Sequence, residues 1–196
     1  EIVSTDGGRV ASDSYLDALR EFIVPHSTAK HSKWNRDSYM VGALARVNNN
    51  WKQLHPEALK VMEELGFKPP VHNTLLNTVA QFIELVHSIE DAIELMDKLL
   101  ARGIVEEEIP PITREGRGVG VVEAPRGLLI HDYTYDERAR LVEANCIIPT
   151  NQNYANIDRD LEAFAKLIAD QPKEKIELGL EMMVRAYDPC ISCSVH

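Results

Sequence analysis

The stretch from Asn73 to Ala101 constrains the fold more than any other part of the chain. Leu75, Val79, Phe82, Val86, Ile89, Ile93, Met96 and Leu100 recur at alternating spacings of four and three, so one long α-helix is predicted. Leu76, Ile83 and Leu85 widen the apolar stripe, which predicts a place inside a helical bundle and not on its rim. Gly103 offers the C-cap. Helices are also predicted upstream, over 12–23 behind the capping Ser12-Asp13-Ser14, over 36–47, and over 56–65 with Pro56 in the first turn. Past Pro110-Pro111 the texture changes. Short β-type runs at 116–122, 128–131 and 140–142, the last leading through Cys146 to Pro149, predict a small antiparallel set of strands. Helix is predicted again over 157–169 and from Pro172 to Tyr187, where Asp188-Pro189 turns the chain. The fold class is therefore mainly α with a small antiparallel β element, an α+β helical bundle.

Charge and cysteine usage exclude several functions. Over 196 residues, 21 Lys and Arg oppose 31 Asp and Glu, a net charge of −10. This argues against nucleic acid or an anionic membrane surface as partner. No apolar run reaches the roughly 20 residues of a membrane span, and Glu1-Ile2-Val3-Ser4 is not a signal-peptide opening. Three cysteines are too few for a disulfide scaffold and suit a reducing compartment, so a cytoplasmic location is expected. Beginning at Glu1 and running into Asp6-Gly7-Gly8, the chain reads as the interior of a longer one.

The most specific feature is Asp188-Pro189-Cys190-Ile191-Ser192-Cys193-Ser194-Val195-His196. Two thiols three positions apart can face one metal ion as thiolates. A structural zinc knuckle needs four ligands, usually in two pairs, whereas Cys146 stands alone. A thioredoxin-like dithiol belongs after a strand at a helix start, whereas this pair follows a helix. The third reading is half of a larger metal site whose other ligands lie outside these residues. Elsewhere, His26, His31, His55, His72, His87 and His131 are scattered without ligand spacing and read as surface or capping residues. Cys146 reads as a small buried hydrophobe, and Glu106-Glu107-Glu108 as a solvated loop. No P-loop or dinucleotide fingerprint occurs.

Asp188-Pro189-Cys190-x-x-Cys193-x-x-His196 resembles the C-terminal metal-binding motif of nickel–iron hydrogenase large subunits. Glu123-Ala124-Pro125-Arg126-Gly127 resembles that family's loop over the active site, and Ile148-Pro149-Thr150 its segment beside the diatomic ligands on iron. His26-Ser27-Thr28-Ala29-Lys30 and Tyr39 to Arg46 are similar to the cytosolic, cofactor-coupled branch. The whole chain, residues 1–196, resembles the C-terminal portion of a single large-subunit domain.

The resemblance implies a role for each residue. Cys190 would be a terminal thiolate on nickel, and Cys193 would bridge nickel to an iron carrying cyanide and carbon monoxide. Arg126, following Pro125, would lie over the open position with Asp188 as its carboxylate partner. Pro149 and Thr150 would shape the pocket around the cyanides. His196 and the carbonyl of Leu129 would hold a Mg or Fe ion nearby. The ending at His196 resembles the mature form left by a C-terminal protease. An earlier cysteine pair and an acidic proton relay are also implied, and neither lies in this sequence, so the N-terminal half is an implied partner. Further implied partners are an iron–sulfur small subunit and electron-transfer subunits coupled to flavin and NAD, to a deazaflavin or to a heterodisulfide. The implied reaction is H2 oxidation and proton reduction. Two other readings stay open: a metal-free structural subunit of a respiratory complex, and a non-enzymatic zinc scaffold.

Overall fold

The computed structural model describes residues 1–103, 105–108 and 115–194. His196 and the Pro110-Pro111 break therefore lie outside the described residues. The chain is mainly α with small antiparallel sheets, as the patterning predicts. It opens with a two-stranded hairpin of β1 (Ile2–Val3) and β2 (Arg9–Val10), followed by a short 3-10 segment over Ser12–Asp17.

The helix expected over 12–23 is not formed. Leu19–Phe22 is instead strand β3, paired antiparallel with β4 (His31–Trp34). Tertiary packing decides this, because Leu19 and Trp34 oppose each other and enter one core with Tyr15, Leu128, Ile130 and Ile147. Packing of this kind overrides local propensity. The helix expected from Arg36 begins only at Ala43. Gly42 at φ +116° ends the extended approach, and α1 runs Ala43–Asn50. Helix α2 (Pro56–Glu64) has its proline in the first turn, as expected.

Helix α3 spans Asn77–Arg102 and ends at Gly103, whose φ is +81°. Its period is as predicted; its burial is not. Ala80 and Ile83 are fully buried against α1 and α2. Beyond them, Phe82, Ile89, Ile93 and Leu100 are 51%, 54%, 52% and 79% exposed. Within this chain α3 is a rim helix, because its 26 residues extend about 39 Å and the shorter α1 and α2 cover only its first half, as far as Glu90. The acidic residues Glu106, Glu107 and Glu108 are exposed.

A three-stranded antiparallel sheet follows, β5 (Gly116–Ala124), β6 (Gly127–Tyr135) and β7 (Leu141–Ile147), with β6 central. Pro125-Arg126 is the tight turn between β5 and β6. Helix α4 covers Pro149–Ile168, eight residues earlier than the predicted start. The run Pro149 to Asn153 reads as loop because it is polar, yet all five residues are buried. Helix α5 (Lys173–Ala186) and the four-residue α6 (Ile191–Ser194) complete the chain.

Three apolar clusters meet at one segment. Met40 packs on both the α1–α2–α3 cluster and the Ile157–Met183–Tyr187 cluster, and Val41 packs on the sheet cluster. Among the described residues no helix is long and apolar enough to cross a membrane.

Candidate metal centre

The turn carrying Arg126 is fixed from three sides. Gly42 and Gly127 let two backbones approach: a Cβ on Gly42 would lie 3.2 Å from the Arg126 carbonyl oxygen, and one on Gly127 3.0 Å from the Gly42 nitrogen. Their φ angles of +116° and +135° are those glycine adopts at least cost. The Asn153 side chain accepts from the Val41 N–H at 2.8 Å and donates to the Val41 carbonyl at 3.2 Å. Gln152 donates to the Leu128 carbonyl at 2.5 Å. Gln152 and Asn153 at the start of α4 thus spend their amides on neighbouring backbone, as buried polar groups must, while the buried Asn151 Oδ1 has no partner among the described residues.

Arg46 grips the same turn from α1. Its guanidinium pairs with both Glu84 oxygens at 2.6 Å and donates to Glu123, the Ala124 carbonyl and the Pro125 carbonyl at 3.0, 2.9 and 3.0 Å. Burial works against that charge, but the Glu84 and Glu123 carboxylates outweigh it and its pKa is raised. The sequence reading noted Arg46 only inside a resembling string; nothing local signals that its partners come from α3 and β5.

The C-terminal turn meets this frame. Asp188, at φ +50°, reverses the chain directly after α5. The Arg126 Nε donates to the Asp188 carbonyl at 2.7 Å, and Nη2 donates to its carboxylate at 3.3 Å. Both side chains are about 40% exposed, so the pair orients more than it stabilises. Gln81 from α3 donates to the same carboxylate at 3.4 Å. The end of α5 is held by Tyr187, whose hydroxyl donates to Asp160 at 2.6 Å and accepts from Asn156 at 2.6 Å. Burial and the Asp160 carboxylate raise its pKa, keeping the hydroxyl protonated.

Cys190 and Cys193 are joined as a disulfide, with Cα atoms 5.4 Å apart. This is the oxidised state of the thiol pair that the sequence reading gives to metal. The Cys190 N–H donates to the Thr150 hydroxyl at 3.3 Å, which ties the turn to the start of α4. The structure thus brings together Arg126, Asp188, Cys190 and Thr150 through contacts 62 and 40 residues apart in the chain. Pro149 is buried beside Thr150, and Pro125 lies exposed in the Arg126 turn. Leu129 is half-buried in β6 opposite Val122, while its expected co-ligand His196 lies outside the described residues.

The donor chemistry fits a soft, redox-active metal: two sulfurs in one turn, beside the Thr150 hydroxyl that accepts from the Cys190 N–H. A separate cleft of about 830 Å³ is lined by Tyr39, Arg46, Glu123, Gln152, Asn156 and Asp160, among others, and by none of the cysteines.

Two expectations for isolated residues are overturned. His31 is buried, and its Nε2 and that of His26 both reach Asp158. Cys146 is only half-buried, with its sulfur 3.6 Å from the Tyr133 hydroxyl and 3.8 Å from His131 Nδ1. The β6–β7 register explains it, since His131 lies directly opposite Cys146.

Residues 18–196 match the family model described as nickel-dependent hydrogenase. The chain is 38% identical over 195 residues to the sulfhydrogenase 1 alpha subunit of Pyrococcus furiosus, covering 100% of this chain and 45% of that protein. It is 36% identical to the beta subunit of the NAD-reducing hydrogenase HoxS of Cupriavidus necator, covering 93% of this chain and 40% of that one. A solved NAD+-reducing [NiFe]-hydrogenase in its H2-reduced state superposes with a TM-score of 0.82 at 27% identity, over 100% of this chain and 50% of that one. The chain thus spans less than half the length of the curated relatives it matches.

Proposed function

This chain belongs to the nickel-dependent hydrogenase family, and from that premise we propose that it forms the C-terminal half of a catalytic subunit interconverting H2 with protons and electrons. The observation that carries the reading is the meeting of Arg126 with Asp188 two residues before Cys190. Cys190 and Cys193, reduced to thiolates, would be this chain's ligands to the nickel–iron centre. When bound, the centre, its iron carrying cyanide and carbon monoxide, supplies Lewis acidity and redox capacity for heterolytic cleavage. The remaining ligand pair and the acidic relay belong to the part of the large subunit outside these residues.

The chain's own groups then have defined tasks. Arg126 keeps a fixed positive charge beside the thiolate turn, with Nε and Nη2 both committed to Asp188, so its planar fork cannot swing away. Thr150 positions Cys190 through its oxygen and offers its hydrogen to an acceptor on the cofactor. Pro149 and the buried start of α4 exclude water there. His196 and the Leu129 carbonyl would be the ligands to a Mg or Fe ion. Electrons leave to the iron–sulfur clusters of a small subunit, and onward to a flavin- and NAD-, deazaflavin- or heterodisulfide-linked partner, in the cytoplasm.

Metal analysis and infrared spectroscopy of the matured, complete subunit test this. Nickel and iron in equal amounts, cyanide and carbonyl bands, and loss of nickel in Cys190→Ser are expected. Active, homogeneous protein without nickel would overturn the reading; inactive protein lacking both metal and bands would favour a structural subunit instead.

A further inference from the structure

A second cluster of metal-type donors lies away from the cysteine turn. His26 sits in the loop after β3, His31 opens β4, and Asp158 lies on α4. His26 Nε2 and His31 Nε2 each stand 3.1 Å from the same oxygen, Asp158 Oδ2. All three donor atoms lie within 4.8 Å of one another. Thr150, which holds Cys190, is eight residues before Asp158 on α4, so the two places are separated by about 12 Å of helix rise.

The geometry of His31 is that of a prepared ligand. Its side chain is 3% exposed. Tyr154 stacks on the ring at 5.3 Å between centroids, and Phe22 packs tilted at 5.8 Å. Its Nδ1 faces the Ala29 carbonyl at 3.2 Å. A carbonyl can only accept, so Nδ1 carries hydrogen, and Nε2 is the nitrogen left for Asp158. Metal-bound histidines are oriented by this type of outer bond. The His26 ring stands nearly perpendicular to His31, at 86°, so both Nε2 atoms converge on the carboxylate without the rings colliding.

One divalent ion placed among the two Nε2 atoms and Asp158 Oδ2 would be held by two imidazoles and one carboxylate, a donor set that zinc takes. Ligands about 2.0–2.1 Å from a tetrahedral zinc lie roughly 3.3 Å apart, close to the two 3.1 Å nitrogen–oxygen separations seen here. His26 and Asp158 are 62% and 45% exposed, so the ion has a path from solvent and a position left for water.

We propose that His26, His31 and Asp158 bind a divalent zinc-type ion, separate from the terminal cysteine turn, that pins the loop after β3 onto α4. The test titrates Co(II), then Zn(II) by competition with a chromophoric chelator, into the matured, complete subunit, whose cysteine site is already filled. One equivalent should bind with visible cobalt bands and no sulfur-to-cobalt charge transfer. His26→Ala and Asp158→Asn, both at exposed positions, should weaken that binding by at least about 100-fold, since even outer-shell losses cost 10–100-fold. Their metal-free melting should be unchanged, and Cys190→Ser/Cys193→Ser should leave the signal intact. The proposal is overturned if the wild type binds no ion beyond the cysteine site. It is equally overturned if the two variants bind as the wild type does, or if the cobalt spectrum shows thiolate bands that vanish in the cysteine variant.

Discussion

Adding one methyl group at Gly127 is the sharpest test of how the candidate site is framed. The φ of Gly127 is +135°, and its Cβ would overlap Val41 Cγ2 outright while lying 2.8 Å from Val41 Cβ and 3.0 Å from the Gly42 nitrogen. Overpacking of this kind costs about 1–3 kcal/mol. A non-glycine residue held at a sparsely populated φ costs about 1–3 kcal/mol more. Alanine returns about 0.4–1 kcal/mol by restricting the unfolded chain. Gly127→Ala should therefore destabilise the fold by about 1–5.5 kcal/mol, a shift of roughly fivefold to ten-thousandfold in the folded-to-unfolded ratio. Urea denaturation of the complete subunit, followed by tryptophan fluorescence, reads this directly. Trp34 reports on the affected core, because it is buried with Leu128 and stands 6.2 Å from Tyr39. Val41→Ala removes Cγ2 but keeps Cβ, so the double variant should recover part of the loss and not all of it. A Gly127→Ala protein within about 0.5 kcal/mol of the parent, or a double variant that recovers nothing, would refute the reasoning.

Other consequences follow from the same frame. Asn153→Ala strips both bonds to Val41 and should cost about 2–4 kcal/mol, with faster hydrogen exchange at the Val41 amide; an unchanged amide would count against it. Arg126→Lys loses the fork onto Asp188. Each charged hydrogen bond is worth about 1.5–3 kcal/mol, so H2 turnover should fall about 10–100-fold with nickel content unchanged, and a wild-type rate would remove Arg126 from the site. Stability should also decline in acid. Two 2.8 Å bonds from Arg117, with Tyr15 at 2.9 Å, hold the Asp132 carboxyl below its usual range. The unfolded chain therefore takes up its proton first, near the ordinary value of about 4. The contribution is complete above that value and disappears as pH falls through the lower folded one. Asp132→Asn should flatten that acid limb in denaturation midpoints, and an unaltered limb would refute the assignment.

Legibility in the sequence tracked the range of the forces involved. The period of α3 was plain because its repeat is local, but how much of it would be covered depends on α1 and α2 reaching only its first half. The segment 12–23 was misread because its partner strand, His31–Trp34, is not local to it. Helix α4 was started late because Thr150 to Asn153 are polar, and only the fold reveals that Gln152 and Asn153 spend their amides on Leu128 and Val41. In the candidate site, the cysteines were legible from spacing, whereas Arg126 and Asp188 were legible only through the family resemblance; the structure brings Arg126, Asp188 and Cys190 together. Arg46 was not, since its five contacts come from α3 and the end of β5. Neither were His26 and His31, which only the β3–β4 hairpin brings to Asp158, 127 residues beyond His31.

The bare flank of α3 has a practical consequence at the bench. Phe82, Leu85, Ile89, Ile93, Met96 and Leu100 present an oily strip to water, the kind of surface that promotes association. These 196 residues produced by themselves should therefore be sticky, prone to inclusion bodies and to capture by chaperones. For anyone cloning this segment, yield will be decided on α3, far along the chain from the cysteines.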